Sequence, residues 1–156
     1  MSGIEFQEDA ATIVRPGVHA HLPDFLDFVK EACTRAELDQ SAEFAVRLAV
    51  EEVCTNVIRH GYGNRDDAGP IALRVAADAE NLTITIADRA PLFRPDDAAA
   101  PDMESDWELR ALGGLGWHLV RSSVDEVRHE PAAGGGNVVT LVKRISSPAI
   151  NPEKTA

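Results

Sequence analysis

Two neighbouring stretches, "IALRVAAD" at 71–78 and "NLTITIADR" at 81–89, alternate apolar and polar residues. A period of two is the mark of a strand with one buried face. With only Asp78 to Asn81 between them, the pair predicts a β-hairpin. A lone hairpin is marginal in water, so its apolar face needs a cover. The cover is upstream. "LPDFLDFVKEACTRA" places Leu22, Phe25, Leu26, Val29 and Ala32 or Cys33 at three- and four-residue steps, a helical pattern that follows a break at Pro16. Asp39 to Ser41 offers a cap for a second helix reaching His60, which Gly61 and Gly63 then stop. "DEVRHE" and "NVVTLVKRI", joined by "PAAGGG", predict two more strands, and Ile4–Phe6 an edge strand. A third, shorter helix begins in "GGLGWHLVRSSV". Strands and helices in these proportions imply an α/β layer sandwich.

At 156 residues the chain reads as a single domain over 1–146, with a disordered tail over 147–156. Aromatics make up only 5%, so aliphatic side chains must fill the core. The formal net charge of −11 argues against direct contact with nucleic acid, which needs a basic footprint. No apolar run approaches the roughly 18 residues of a membrane span. The opening "MSGIEFQEDAATIV" lacks the basic start and apolar middle of a signal peptide, so the expected location is the cytoplasm. Cys33 and Cys54 fall on different predicted helices. The sequence leaves a disulfide open, but two buried, reduced thiols suit that compartment better. No paired Cys/His spacing suggests zinc.

Turning "SAEFAVRLAVEEVCTNVIRHGYG" at about 100° per residue puts Val46, Val50, Val53 and Val57 in one arc, with Ala49 beside them. Glu52 and Asn56 share one flank of that stripe, four residues apart and adjacent on the helix. Glu51 points nearly the opposite way and is expected in solvent. Taken alone, Glu52 and Asn56 read as boundary residues bonded to a neighbouring element. The functional reading is an amide oxygen and a carboxylate aimed at one pocket. Mg²⁺ takes hard oxygen ligands and keeps several waters, so one amide oxygen plus phosphates would hold it. The carboxylate would orient or deprotonate a hydroxyl.

Gly113, Gly114 and Gly116, with Leu115 between them, open the third helix. A helix N-terminus carries unpaired N–H groups and the positive end of the macrodipole, and glycines let an anion approach that backbone. No Gly-Lys-Ser/Thr follows, so this is not a Walker loop. A hinge ending the preceding loop is the alternative. Asp88 closes a strand, where a carboxylate would accept a hydrogen bond from an exocyclic amine or simply cap a turn. Phe93 is expected as a core plug. "RPDDAAAPDMESDWELRAL" has no sustained period and reads as a long mobile loop of the kind that forms lids.

The order of these features is more specific than any of them. "VEEVCTNVIRHGYG", "DRAPLF" and "GGLGWHLVRSSVDEV" resemble the anti-sigma-factor serine-protein kinases. These belong to the histidine-kinase-like ATPase superfamily of gyrase, heat-shock chaperones, histidine kinases and mismatch-repair proteins. The resemblance runs from about residue 10 to 145. It implies a two-layer sandwich in which a mixed, mostly antiparallel sheet is covered on one face by three helices. It implies ATP and Mg²⁺ as cofactors. Asn56 matches the residue that holds Mg²⁺, Glu52 the general base, and Asp88 the carboxylate that reads the adenine amine. Gly113, Gly114, Leu115 and Gly116 match the phosphate cradle, Arg110 a contact to the γ-phosphate, and residues 94–112 the lid. Implied partners are a sigma factor, a STAS-type anti-anti-sigma protein phosphorylated on serine or threonine, and a second copy of the chain.

Two departures stand out. The expected Asp-x-Gly reads Asp88-Arg89-Ala90, and alanine visits positive φ less cheaply than glycine, so altered loop geometry is expected there. Asn137 stands where a threonine is often found, with Thr140 too far along to replace it. The alternatives are a non-catalytic module that holds ATP and sequesters a partner, or the ATPase domain of a histidine kinase.

Overall fold

The computed structural model describes residues 11–93 and 114–145. The expected Ile4–Phe6 strand, the 94–112 lid, Arg110, Gly113 and the 147–156 tail lie outside them.

The chain begins with β1 (Thr12–Pro16), passes through a 3₁₀ turn at His19–His21 and enters α1 (Leu22–Arg35). Next come α2 (Gln40–Asn56), β2 (Pro70–Ala77) and β3 (Asn81–Asp88). The last elements are α3 (Gly114–Ser123), β4 (Glu126–Pro131) and β5 (Asn137–Arg144). The strands form one sheet in the order β1-β2-β3-β5-β4. Every pairing among the described strands is antiparallel, so the mixed component is not found in them.

The hairpin forms where the alternation placed it. Asp78 Oδ1 accepts from the backbone N–H groups of Glu80 (2.7 Å) and Asn81 (2.8 Å), an Asx-type turn that fixes the register. Ile71, Leu73 and Val75 on β2 and Leu82, Ile84 and Ile86 on β3 turn to one side, where α1, α2 and α3 cover them. Phe25 and Val29 from α1 and Val46, Val50 and Val53 from α2 fill the layer. Each fully buried aliphatic side chain contributes about 1.5–3 kcal/mol relative to exposure. Cys33 and Cys54 are free and buried, and burial pushes the Cys33 thiol up to about 11 and Cys54 further still.

Asp39 caps α2 through a 2.7 Å bond from Ala42 N. The other end of α2 departs from expectation. Its α-helical bonding ends at Asn56 and a π turn carries on from Val57 to Gly61. There Tyr62 N bonds to Val57 O at 2.7 Å, a widened turn that swings the chain toward the end of β3. Gly63, at φ +66°, completes the stop.

Candidate functional site

Glu52 and Asn56 lie on the last two turns of α2, and α3 packs against that helix. The contact is made at Gly116. A methyl group placed there would lie 2.7 Å from Glu52 Oε2 and 3.9 Å from Asn56 Nδ2. Only a residue without a side chain lets the start of α3 press so closely on the two polar groups. Glu52 is half-buried, and so is Glu51, which was expected in solvent. Desolvation holds the Glu52 carboxyl above the usual range, Glu51 adds to this, and Arg59 opposes it. A carboxylate so placed is a better proton acceptor than a solvated one.

Asp88 is 2% exposed at the end of β3. Its Oδ1 accepts from Ala90 N at 2.9 Å and from Asn137 Nδ2 at 3.0 Å. Burial raises its pKa, while those two hydrogen bonds pull the other way. The segment after it is pinned to the end of α2. Tyr62 Oη accepts from Arg89 N at 2.8 Å and donates to Pro70 O at 2.7 Å. A Cβ at Gly61 would meet the Ala90 methyl at 2.7 Å. Ala90 is buried and does not have a positive φ. The alanine thus avoids the conformation that glycine would be needed for, and its methyl fills the space that Gly61 leaves.

Phe93 is 40% exposed and so is not the core plug expected. It meets Trp117 edge-on, with ring centroids 6.0 Å apart, which links the chain beyond Asp88 to α3. The end of α2, the end of β3 and the start of α3 thus meet at one end of the sandwich. Glu52, Asn56 and Gly116 come together there, with Asp88 at the end of β3. Gly114 begins the helix beside them, followed by Leu115.

Sequence reasoning missed Asn137 as a site residue. It is buried, and β5 sets it directly opposite Asp88 in register. The signal was there to read: an asparagine opens the strand directly after three glycines, in "GGGNVV". Thr140, three residues on, pairs with Thr85 on the other face of the sheet.

The donor set fits a hard cation bound through few protein ligands. Among the described residues no group of three or more His, Cys, Asp or Glu is placed to hold a metal. The Asn56 amide, whose oxygen would serve as the one protein ligand, lies beside Gly116 at the start of α3 and would leave the remaining positions to phosphate and water. A separate cleft of about 470 Å³ lies between α1 and the β2–β3 hairpin. Among the described residues Arg35 is the only charged one lining it, and none of the described site residues does, so the chemistry points to the end of α2 instead.

Comparison with known proteins bears on this arrangement. The model of the histidine kinase-like ATPase domain matches residues 16–143. The chain belongs to that family. A serine-protein kinase RsbW of Bacillus pumilus is 29% identical over 115 residues, 70% of each chain. An anti-sigma F factor of Pasteuria penetrans is 28% identical over 117 residues, 72% of this chain and 76% of its own. Both names agree with the resemblance read from the sequence. In fold, the chain is similar to the solved RsbU and RsbW domains of Rv1364c from Mycobacterium tuberculosis. The TM-score is 0.62 at 20% identity, over 88% of this chain and 32% of that one.

Proposed function

We propose that this protein is an ATP-dependent serine/threonine kinase that phosphorylates a small STAS-type anti-anti-sigma protein and sequesters a sigma factor. The observation that supports this is the close approach of Gly116 to Glu52 and Asn56; in this reading Gly116 belongs to the phosphate cradle, Glu52 is the base and Asn56 the metal ligand. The names of the relatives, serine-protein kinase and anti-sigma factor, support a seryl target and a sigma factor, while the STAS-type partner comes from the resemblance read in the sequence.

In this reading Asp88 accepts the purine amine, and the N–H groups at the start of α3 receive the phosphates. Mg²⁺, held by Asn56 Oδ1, would neutralise phosphate charge. Glu52 takes the proton from the partner's hydroxyl as that oxygen bonds to the γ-phosphorus and the bond to the β-phosphate oxygen breaks, leaving ADP. Positioning and charge neutralisation account for most of such a transfer, so this small set suffices. The added phosphate places negative charge on the partner's docking surface, facing a chain of net charge −11. No helix among the described residues is long and apolar enough to cross a membrane, in keeping with action in the cytoplasm.

The test is phosphoryl transfer from labelled ATP to a seryl STAS protein, run beside a nucleotide titration. Glu52→Ala is expected to bind ATP within about threefold of the parent and to lose transfer by at least about a hundredfold. Asn56→Ala is expected to abolish the effect of Mg²⁺ on binding. ATP binding with no transfer by the parent protein would instead establish a non-catalytic sequestering module.

A further inference from the structure

The ring of Phe93 joins two parts of the candidate site. Its backbone N–H donates to Asn137 Oδ1 at 2.8 Å, which anchors the residue to the start of β5. Its ring meets His129 on β4 edge-on, with centroids 6.4 Å apart and planes at 83°. The same ring meets Trp117 on α3 at 6.0 Å and 71°. Both are geometries that the ring quadrupole favours. The sheet thus holds Phe93, and Phe93 touches α3.

Trp117 is an anchor of that helix. Gly114 and Gly116 bring no side chain to its start, and glycine leaves the backbone free to move. Trp117 follows at once and is 5% exposed. Its indole N–H is buried and finds no hydrogen-bond partner among the described residues. Packing therefore orients the ring, with Phe93 beside it and the Arg121 guanidinium 6.0 Å from its centroid.

We propose that Phe93 is a positioning residue for the phosphates: acting through Trp117, its ring fixes the start of α3 relative to the end of β3 and so holds the two halves of the site at the span of one nucleotide. This rests on the reading of the site as the nucleotide site of a kinase. Phe93 lies five residues after Asp88, and Trp117 lies directly after Gly116, so the ring pair joins one half to the other. Without the Phe93 ring, Gly116 is free to shift against Glu52 and Asn56, which it approaches closely. The phosphates then lose alignment with the base. The end of β3 keeps its bonds, because Phe93 reaches Asn137 through the backbone and not the ring.

The experiment measures affinities of the full chain for adenosine, which offers the base without phosphates, and for ATP with Mg²⁺, beside phosphoryl transfer to a seryl STAS protein. Variants are Phe93→Ala, Phe93→Tyr, which keeps the ring, Trp117→Leu, which keeps apolar bulk, and the double variant Phe93→Ala with Trp117→Leu. Phe93 is 40% exposed, so its truncation leaves the core intact. Phe93→Ala is expected to bind adenosine within about twofold of the parent and to lose about threefold to tenfold in ATP affinity. Transfer falls at least about tenfold, while Phe93→Tyr keeps the parent values. The double variant is expected to lose no more ATP affinity than Trp117→Leu alone. Equal weakening of adenosine and ATP in Phe93→Ala would mean that the ring serves folding alone, and losses that add in the double variant would mean that it acts apart from Trp117; either overturns the proposal. A Phe93→Ala variant indistinguishable from a parent that binds both ligands would overturn the role of Phe93 alone. A parent that binds neither would remove the nucleotide reading of the site, and the proposal with it.

Discussion

Glu52 illustrates how a single residue reflects its surroundings. Desolvation is the largest influence on it and favours the protonated form in the folded state. The sign of the effect on stability follows. Its contribution is complete below the ordinary glutamate pKa and is lost as pH rises through the higher folded value. Glu52→Gln removes this dependence, so without nucleotide the variant is expected to melt above the parent near pH 7–8, with the gap closing below about pH 4. Thermal denaturation across that range is the check, and a parent that gains on the variant as pH rises would contradict it. The helical period identified this residue because it reports which flank of a helix a side chain takes. It did not reveal that Glu51 is also half-buried, because that depends on neighbouring packing. Asn137 was harder to read, since its partners are 8, 44, 46 and 49 residues away.

At the scale of elements, the glycine-rich β4–β5 turn is as restrictive as the start of α3. Gly136 has φ +108°, and a Cβ there would overlap the carbonyl oxygen of Asp88 and lie 2.8 Å from Arg89 Cα. Gly136→Ala must therefore move β5 against β3 at the point where Asn137 meets Asp88. The expected cost is about 2 kcal/mol or more in chemical denaturation, with impaired nucleotide binding as well. Gly116→Ala should behave differently. Its added methyl meets the end of a half-buried carboxylate side chain, which can rotate away. Its expected signature is near-native stability, within about 1 kcal/mol, with transfer reduced at least about tenfold through displacement of Glu52. The reverse ranking in paired denaturation and transfer assays would contradict the packing described here. The hairpin, the α2 cap and the core stripe were legible because each depends on local chemistry. The π turn after Asn56 was not, because Tyr62 fixes it by bonding to residues far along the chain.

For the whole molecule, the decisive feature is that three segments distant in sequence meet at one end of a two-layer sandwich. The order of the motifs suggested the meeting, and the antiparallel register from β2 through β3 to β5 brings it about. Neither the long-range contacts of Tyr62 nor the register that sets Asn137 against Asp88 can be obtained from periodicity. In the proposed function, the end of α2, the end of β3 and the start of α3 enclose one nucleotide. Amide chemical-shift mapping during titration with a non-hydrolysable ATP analogue and Mg²⁺ tests it most directly. The predicted result is a single saturable event that perturbs Glu52–Asn56, Asp88–Ala90 and Gly114–Trp117 together, at one apparent Kd. Perturbation of only one of these segments, or of residues around the cleft between α1 and the β2–β3 hairpin, would contradict it.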